Sequence, residues 1–140
     1  MVQITISDDK TRLDVNIIHK FLTKSYWAKG RTLEEVRSSI EHSDCYGVYS
    51  GEKQIGFARI ISDYIIFAYL MDVFILEEYR GNGYSKLLLK KIFEDEKFRN
   101  VKKWMLATKD AHPLYEKFGF KKTDTPERLM VMVPAEKHLT

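Results

Sequence analysis

A single cysteine and four histidines in 140 residues leave little room for a disulfide scaffold or a metal cluster. Cys45 has no partner for an intramolecular disulfide, which fits a reducing compartment. His19, His42, His112 and His138 are scattered without metal-ligand spacing, so no metal is expected. Long apolar runs are also lacking. The best candidate, FAYLMDVFIL, falls well short of the ~20 residues of a membrane span and contains Asp72. The first twenty residues carry Asp8, Asp9, Lys10, Arg12 and Asp14, unlike a signal peptide. Charge of one sign is scarce too. The net charge is +3, from 23 basic and 20 acidic residues spread along the chain, without the concentrated basic patch of a nucleic-acid binder. A mild positive field suits an anionic small molecule instead. The expectation is a soluble cytoplasmic protein with neither a nucleic-acid nor a membrane partner.

Apolar residues make up 44% of the chain, enough for one domain over 1–140 with one core and against disorder. VQITI (2–6) alternates like a strand. LDVNIIHKFL (13–22) has a helical stripe, and Thr32-Leu33-Glu34-Glu35 has the spacing of a capping box at the start of a second helix. YWAKGR (26–31) joins the two helices and holds two aromatics that helix packing alone does not explain. YGVYS (46–50) and QIGFARII (54–61) predict a hairpin around Gly51. IIFAYLMDVFI (65–75) is apolar on both faces and predicts a central strand. A helix after 83 is expected to bury Leu87, Leu88, Ile92 and Phe93. A strand at 101–108 follows, then a short helix at 110–118 capped by Asp110 and ended by Gly119 in the left-handed conformation. RLMVMV (128–133) predicts a last strand, and the polar tail from Pro134 is expected to fray. This order is that of a mixed α/β layer protein on one sheet.

The segment Arg80-Gly81-Asn82-Gly83-Tyr84-Ser85 lies between a strand and a helix. A helix begins with amides that lack intrahelical partners and carry the positive end of its dipole. Glycines ahead of them let the backbone bend and let a ligand come close. Such a turn suits an oxyanion, and Arg80 adds a cation that can fork onto phosphate oxygens. Local sequence alone leaves a second reading, a turn that simply needs glycine. The P-loop is excluded because Gly83 is followed by Tyr84-Ser85, and the dinucleotide fingerprint because only two glycines are present.

The segment resembles the acetyl-CoA-binding motif of the GNAT superfamily of N-acetyltransferases, Q/R-x-x-G-x-G/A, with Ser85 departing at the last position. Tyr115-Glu116-Lys117-Phe118-Gly119-Phe120 resembles the family's Y-x-K-x-G-F helix ending, and the element order matches over nearly the whole chain. The resemblance implies a mixed, mostly antiparallel central sheet whose fourth and fifth strands splay apart, flanked by helices. It implies acetyl-CoA as co-substrate, its pantetheine arm pairing with the backbone of Val73, Phe74 and Ile75. The pyrophosphate would sit on amides of Gly81, Asn82, Gly83, Tyr84 and Ser85 beside Arg80. Thr108 stands where the family often has a cofactor-binding Asn. The acetyl group would pass directly to a primary amine of a small molecule or peptide.

That chemistry needs a neutral amine, whereas a lysine-like amine has a reference pKa of about 10.4. It also needs a proton for the departing thiolate. By resemblance, Tyr115 is the candidate acid; its alternative is a core tyrosine packing the short helix. Asp72, beside the expected thioester, is the candidate base or substrate-binding group; its alternative is a carboxylate paired with a neighbouring arginine or tyrosine. Tyr26 and Trp27 are candidates to line the acceptor pocket, where the family's first two helices meet, or else packing residues. A non-catalytic CoA-binding sensor or regulatory module is the competing function. A homodimer through the C-terminal strands is an assembly suggested by analogy.

Overall fold

The computed structural model describes residues 3–134. Its contacts divide it into two compact units, one ending at Thr108 and one beginning at Lys109. The first unit carries a five-stranded mixed sheet in the order β1 (Ile4–Ser7), β2 (Asp44–Ser50), β3 (Lys53–Ser62), β4 (Phe67–Ile75) and β5 (Lys103–Met105). The first four strands are antiparallel neighbours, and β4 pairs with β5 in parallel. This is the expected mixed, mostly antiparallel α/β architecture.

The helices of this unit are α1 (Val15–Leu22), α2 (Leu33–Glu41) and α3 (Tyr84–Phe93). Asp14 caps α1 by accepting from the amides of Asn16 and Ile17. The capping box of α2 is present in both directions: Glu35 N–H donates to Thr32 Oγ1 at 3.1 Å, and Thr32 N–H donates to Glu35 Oε1 at 2.8 Å. Ile18, Leu22, Val36 and Ile40 from these two helices pack with Cys45, Phe57 and Phe74 of the sheet in one buried cluster. The intervening strand residues Tyr46, Val48, Ala58 and Ile60 are buried as well. Both faces of β2 and β3 are therefore covered, which explains the unbroken non-polar runs 45–49 and 55–58. Burial pushes the Cys45 thiol up to about 12, so it behaves as a small apolar side chain.

Several expectations are corrected. β4 starts at Phe67, because Asp63 Oδ1 accepts from the amides of Ile65, Ile66 and Phe67 and so keeps Ile65 and Ile66 in the preceding turn. The buried side of α3 is Leu88, Leu89 and Ile92, while Leu87 faces outward. In the second unit, α4 spans His112–Glu116 behind Ala111, with no side-chain cap from Asp110. The last expected strand is absent from the described residues: Leu129, Met130, Val131, Met132 and Val133 have no ladder partner and are all exposed, Met130 by 95%. An apolar β-branched run makes a strand only when a neighbouring backbone accepts its hydrogen bonds. The polar tail beyond Pro134 lies outside the described residues. Within them, no helix is long and apolar enough to cross a membrane.

Candidate functional site

β4 is irregular at one point. Phe57 faces Phe74 and Arg59 faces Met71, so a two-residue step on β3 is matched by three on β4. The extra residue makes a bulge, and Asp72 within it has a left-handed φ of +55°. Aspartate is among the few non-glycine residues that tolerate this region. Its side chain has no exposed surface. Trp27 Nε1 donates to Oδ1 at 2.8 Å; Arg31 Nη1 and Arg59 Nε donate to Oδ2 at 2.7 and 2.9 Å. Arg59 is buried too, and its Nη1 donates to Ser43 Oγ at 2.9 Å. A buried charge stands only when paired, and here one carboxylate answers two guanidinium groups.

Trp27 and Arg31 reach Asp72 because the connection between α1 and α2 is tightly folded. Ser25 Oγ donates to the Leu22 carbonyl at 2.7 Å and accepts from Ala28 N–H at 3.1 Å. Gly30, at φ +82°, sends its N–H back to the Thr23 carbonyl, and Arg31 N–H closes onto Ala28. Rings continue the link into the core. Tyr26 meets Trp27 edge-on at 5.2 Å, Trp27 lies 6.2 Å from Phe21, and Phe21 stacks on Phe74 at 4.0 Å. The connection borders an open cleft of about 540 Å³, lined by Trp27, Lys29, Arg31, Glu35, Ser39 and Arg59 among others. Tyr26, 56% exposed, is not among its lining residues.

From Leu70 onward, β4 has a ladder partner on one side only among the described residues. Its pairing with β5 covers Phe67–Tyr69 and stops, while its pairing with β3 runs on to Ile75. The edge from Leu70 to Ile75 is thus left open toward β5, the splay expected from the sequence. Phe74 and Ile75 have buried side chains and Val73 is half-buried, so they offer backbone rather than side chains. Gly56 packs closely opposite them: a Cβ there would fall 2.6 Å from Ile75 Cδ1 and 3.0 Å from the Phe74 carbonyl oxygen.

The strand leads through a short 3-10 turn (Glu77–Tyr79) into the glycine segment. Gly81 and Gly83 both have left-handed φ, +83° and +79°, and both face open space. Gly83 is the N-cap of α3, and no side chain caps its first turn. The first bond of the helix runs from Leu87 N–H to the Gly83 carbonyl at 3.2 Å, so the amides of Tyr84, Ser85 and Lys86 precede it without helical partners. Asn82 Nδ2 is turned inward onto the Tyr79 carbonyl at 3.0 Å. Arg80 is held by Nε on the Ile75 carbonyl at 2.9 Å and lies 5.9 Å from the Phe21 ring centre. Arg80 is exposed, and its terminal nitrogens have no hydrogen-bond partner among the described residues.

Thr108 is half-buried at the end of the first unit. Tyr115 belongs to the second, where it is buried in α4. The end of that helix explains the Y-x-K-x-G-F pattern physically. Phe120 N–H donates to the Tyr115 carbonyl and Gly119 N–H to that of Glu116, with Gly119 at φ +97°. This is a Schellman ending, and the ring contact it favours is present between Tyr115 and Phe120 at 5.9 Å. The structure therefore gathers Trp27 and Asp72 at the bulge and runs Val73–Ile75 into Arg80–Ser85. Arg31 and Arg59 were missed by sequence reasoning. Their partner lies 41 and 13 residues away, and no local spacing announces such an ion pair.

The sequence profile of the Acetyltransferase (GNAT) domain matches residues 41–122. A solved protein assigned to the GNAT family from Xanthomonas campestris pv. campestris is 41% identical; the match covers 95% of this chain and 94% of that one, with a TM-score of 0.90. A Gibberella zeae protein designated an acetyltransferase is 28% identical, over 80% of this chain and 75% of its own. A Clostridium acetobutylicum protein of the same fold, solved with acetyl-CoA, is 19% identical over 99% of both chains, with a TM-score of 0.68. With the family profile matching more than half of its length and a 41%-identical relative matched almost end to end, the chain belongs to the GNAT family of acetyltransferases.

Proposed function

We propose that this protein transfers the acetyl group of acetyl-CoA directly to a primary amine of a small molecule or peptide. The observation that carries this reading is the continuity of the open β4 edge at Val73–Ile75 with the uncapped α3 N-terminus behind Gly81 and Gly83. The edge offers backbone groups to the amides of pantetheine. The helix start, with Arg80 beside it, offers amides and a cation to pyrophosphate. The acetyl-CoA complex of the Clostridium acetobutylicum protein, which has the same fold, supports the choice of ligand.

In this reading the amine nitrogen attacks the thioester carbonyl carbon. A C–N bond forms, the C–S bond breaks and the thiolate leaves. The amine gives a proton to water, and the thiolate takes one from the Tyr115 hydroxyl, which is restored by solvent. Asp72 moves from base to positioning residue, because a carboxylate without exposed surface and with three donors on it has no open path to an amine. It fixes Trp27 and Arg31 at the wall of the acceptor cleft. The reading also includes a homodimer, for which the exposed run 129–133 supplies an apolar edge.

Calorimetric titration with acetyl-CoA and with CoA tests the assignment. Saturable binding is expected, weakened about tenfold or more by Arg80→Ala or Gly83→Val, since each removes a phosphate contact or blocks close approach. Folded protein that binds neither ligand would end the acetyltransferase reading.

A further inference from the structure

We infer that the cleft beside the β4 bulge selects an acceptor amine that also carries a carboxylate. The inference rests on the acetyltransferase reading for its location and on the lining side chains for its chemistry. Three cationic residues, Lys29, Arg31 and Arg59, line the cleft against one acidic residue, Glu35. Glu35 already accepts the Thr32 N–H. Asp72 has no exposed surface and cannot meet a ligand.

The three cations are not equivalent. Arg59 has its nitrogens committed to Asp72, Ser43 and the Met71 sulfur, and its side chain is 8% exposed. Arg31 is bound through Nη1 alone, with its side chain 19% exposed, and its Nε and Nη2 have no partner among the described residues. Asp72 thereby fixes one side of this guanidinium and leaves a pre-oriented fork at the cleft. Lys29 is exposed beside it and has no charged partner among the described residues. A planar fork with a second cation nearby matches a carboxylate held by two parallel N–H bonds. A diamine would place a second ammonium against the same two cations. Arg31 and Trp27 both touch Asp72, the residue before Val73, where the proposed pantetheine track begins. An acceptor whose carboxylate is held at Arg31 therefore starts next to the reacting centre.

The test compares matched acceptors on the full chain: glycine, β-alanine and 4-aminobutyrate, each against its carboxamide, with putrescine as the dicationic control. Thiol release at saturating acetyl-CoA gives kcat/KM. Trp27 fluorescence in a Trp104→Phe background gives binding without turnover, since the chain has two tryptophans. A carboxylate is expected to exceed its carboxamide by about tenfold or more. Lys29→Ala and Arg31→Lys are expected to shrink that ratio through KM, with acetyl-CoA affinity unchanged; the lysine keeps a charge for Asp72 and loses the fork. Carboxamides or putrescine bound as well as carboxylates, carboxylates neither bound nor turned over, or a ratio untouched by both substitutions would overturn the inference. Loss of acetyl-CoA binding itself would overturn the acetyltransferase reading, whereas the fluorescence titration judges the cleft separately.

Discussion

Replacing Asp72 with asparagine preserves shape and backbone tolerance while removing one charge from a closed group. The wild-type carboxylate receives three donors at 2.7–2.9 Å and has no contact with solvent. Arg59, with 8% of its side chain exposed, cannot recover hydration when its partner is neutral. Breaking a buried pair from one side costs about 3–5 kcal/mol, a large part of the ~5–15 kcal/mol that holds a domain folded. The asparagine amide adds a conflict, because it presents N–H to one of three donors that all need an acceptor. Backbone and charge can be separated with two further variants. Asp72→Gly and Asp72→Ala both delete the carboxylate, but alanine must also hold the left-handed φ of +55°, so it is expected to be lower by about 1–2 kcal/mol. Urea unfolding followed by far-ultraviolet circular dichroism measures all three, provided the denaturant slope is constant. A loss under ~1 kcal/mol for Asp72→Asn, or equal stability for the alanine and glycine variants, would refute the reasoning. A kinetic profile adds a second reading. A general base leaves a limb in the pH–rate curve that asparagine abolishes, whereas a positioning residue leaves the shape and lowers the height.

Tyr115→Phe keeps the ring that closes the Schellman ending on Phe120, so stability and acetyl-CoA affinity should hold while kcat falls about tenfold or more; unchanged turnover would exclude the hydroxyl as proton donor. Lys97 Nζ lies 3.3 Å from Asp8 and Asp44 and 3.9 Å from Asp95, whose carboxylate also accepts the Tyr46 hydroxyl at 2.6 Å. Burial works against the Asp95 charge, but the Tyr46 bond and Lys97 outweigh it and hold the carboxyl below its usual 3.8. Burial likewise opposes the Lys97 charge, but Asp44, Asp8 and Asp95 hold the ammonium above its usual 10.5. The network therefore stabilises fully between those two values, and the contribution fades as pH falls through the lowered Asp95 value or rises through the raised Lys97 value. Lys97→Met should cost about 1–2 kcal/mol at pH 7 and much less at the acid end, by urea unfolding at each pH; a constant difference would exclude the ion pairs as the cause. Light scattering should give a dimer mass that Val131→Lys, at a position 88% exposed, reduces to that of one chain; a monomer at all concentrations removes run 129–133 as an interface.

Local physics made much of this fold readable. The Thr32 capping box, the hairpin at Gly51 and the left-handed Gly119 each depend on residues within a few positions of one another, and each is present. β4 was recognisable as an inner strand because both its faces are apolar, but only its first part has a neighbour on each side. The misses share a different cause. β5 shrinks from the expected 101–108 to Lys103–Met105 because the splay deprives its far end of a partner, which no property of its own residues signals. The run 128–133 has strand composition without a ladder. Asp72 was singled out because a carboxylate in an apolar strand is conspicuous, but its role turns on Arg31 and Arg59, brought to it by the fold alone. Trp27 was noticed as unexplained by helix packing, and its bond to Asp72 supplies the explanation.

The half-paired course of β4 also sets a pattern in time. At Ala68 and Tyr69 the strand is paired on both sides; from Leu70 to Ile75 its one ladder is with β3, interrupted by the bulge at Asp72 and Val73. Amides aimed at β3 are released to solvent deuterons only when the sheet opens, whereas those aimed at the gap exchange from the native state without any opening. Successive amides of one short segment should therefore differ in exchange lifetime by orders of magnitude. A ligand that docks along the gap erases this alternation, and the slowed amides record its path residue by residue.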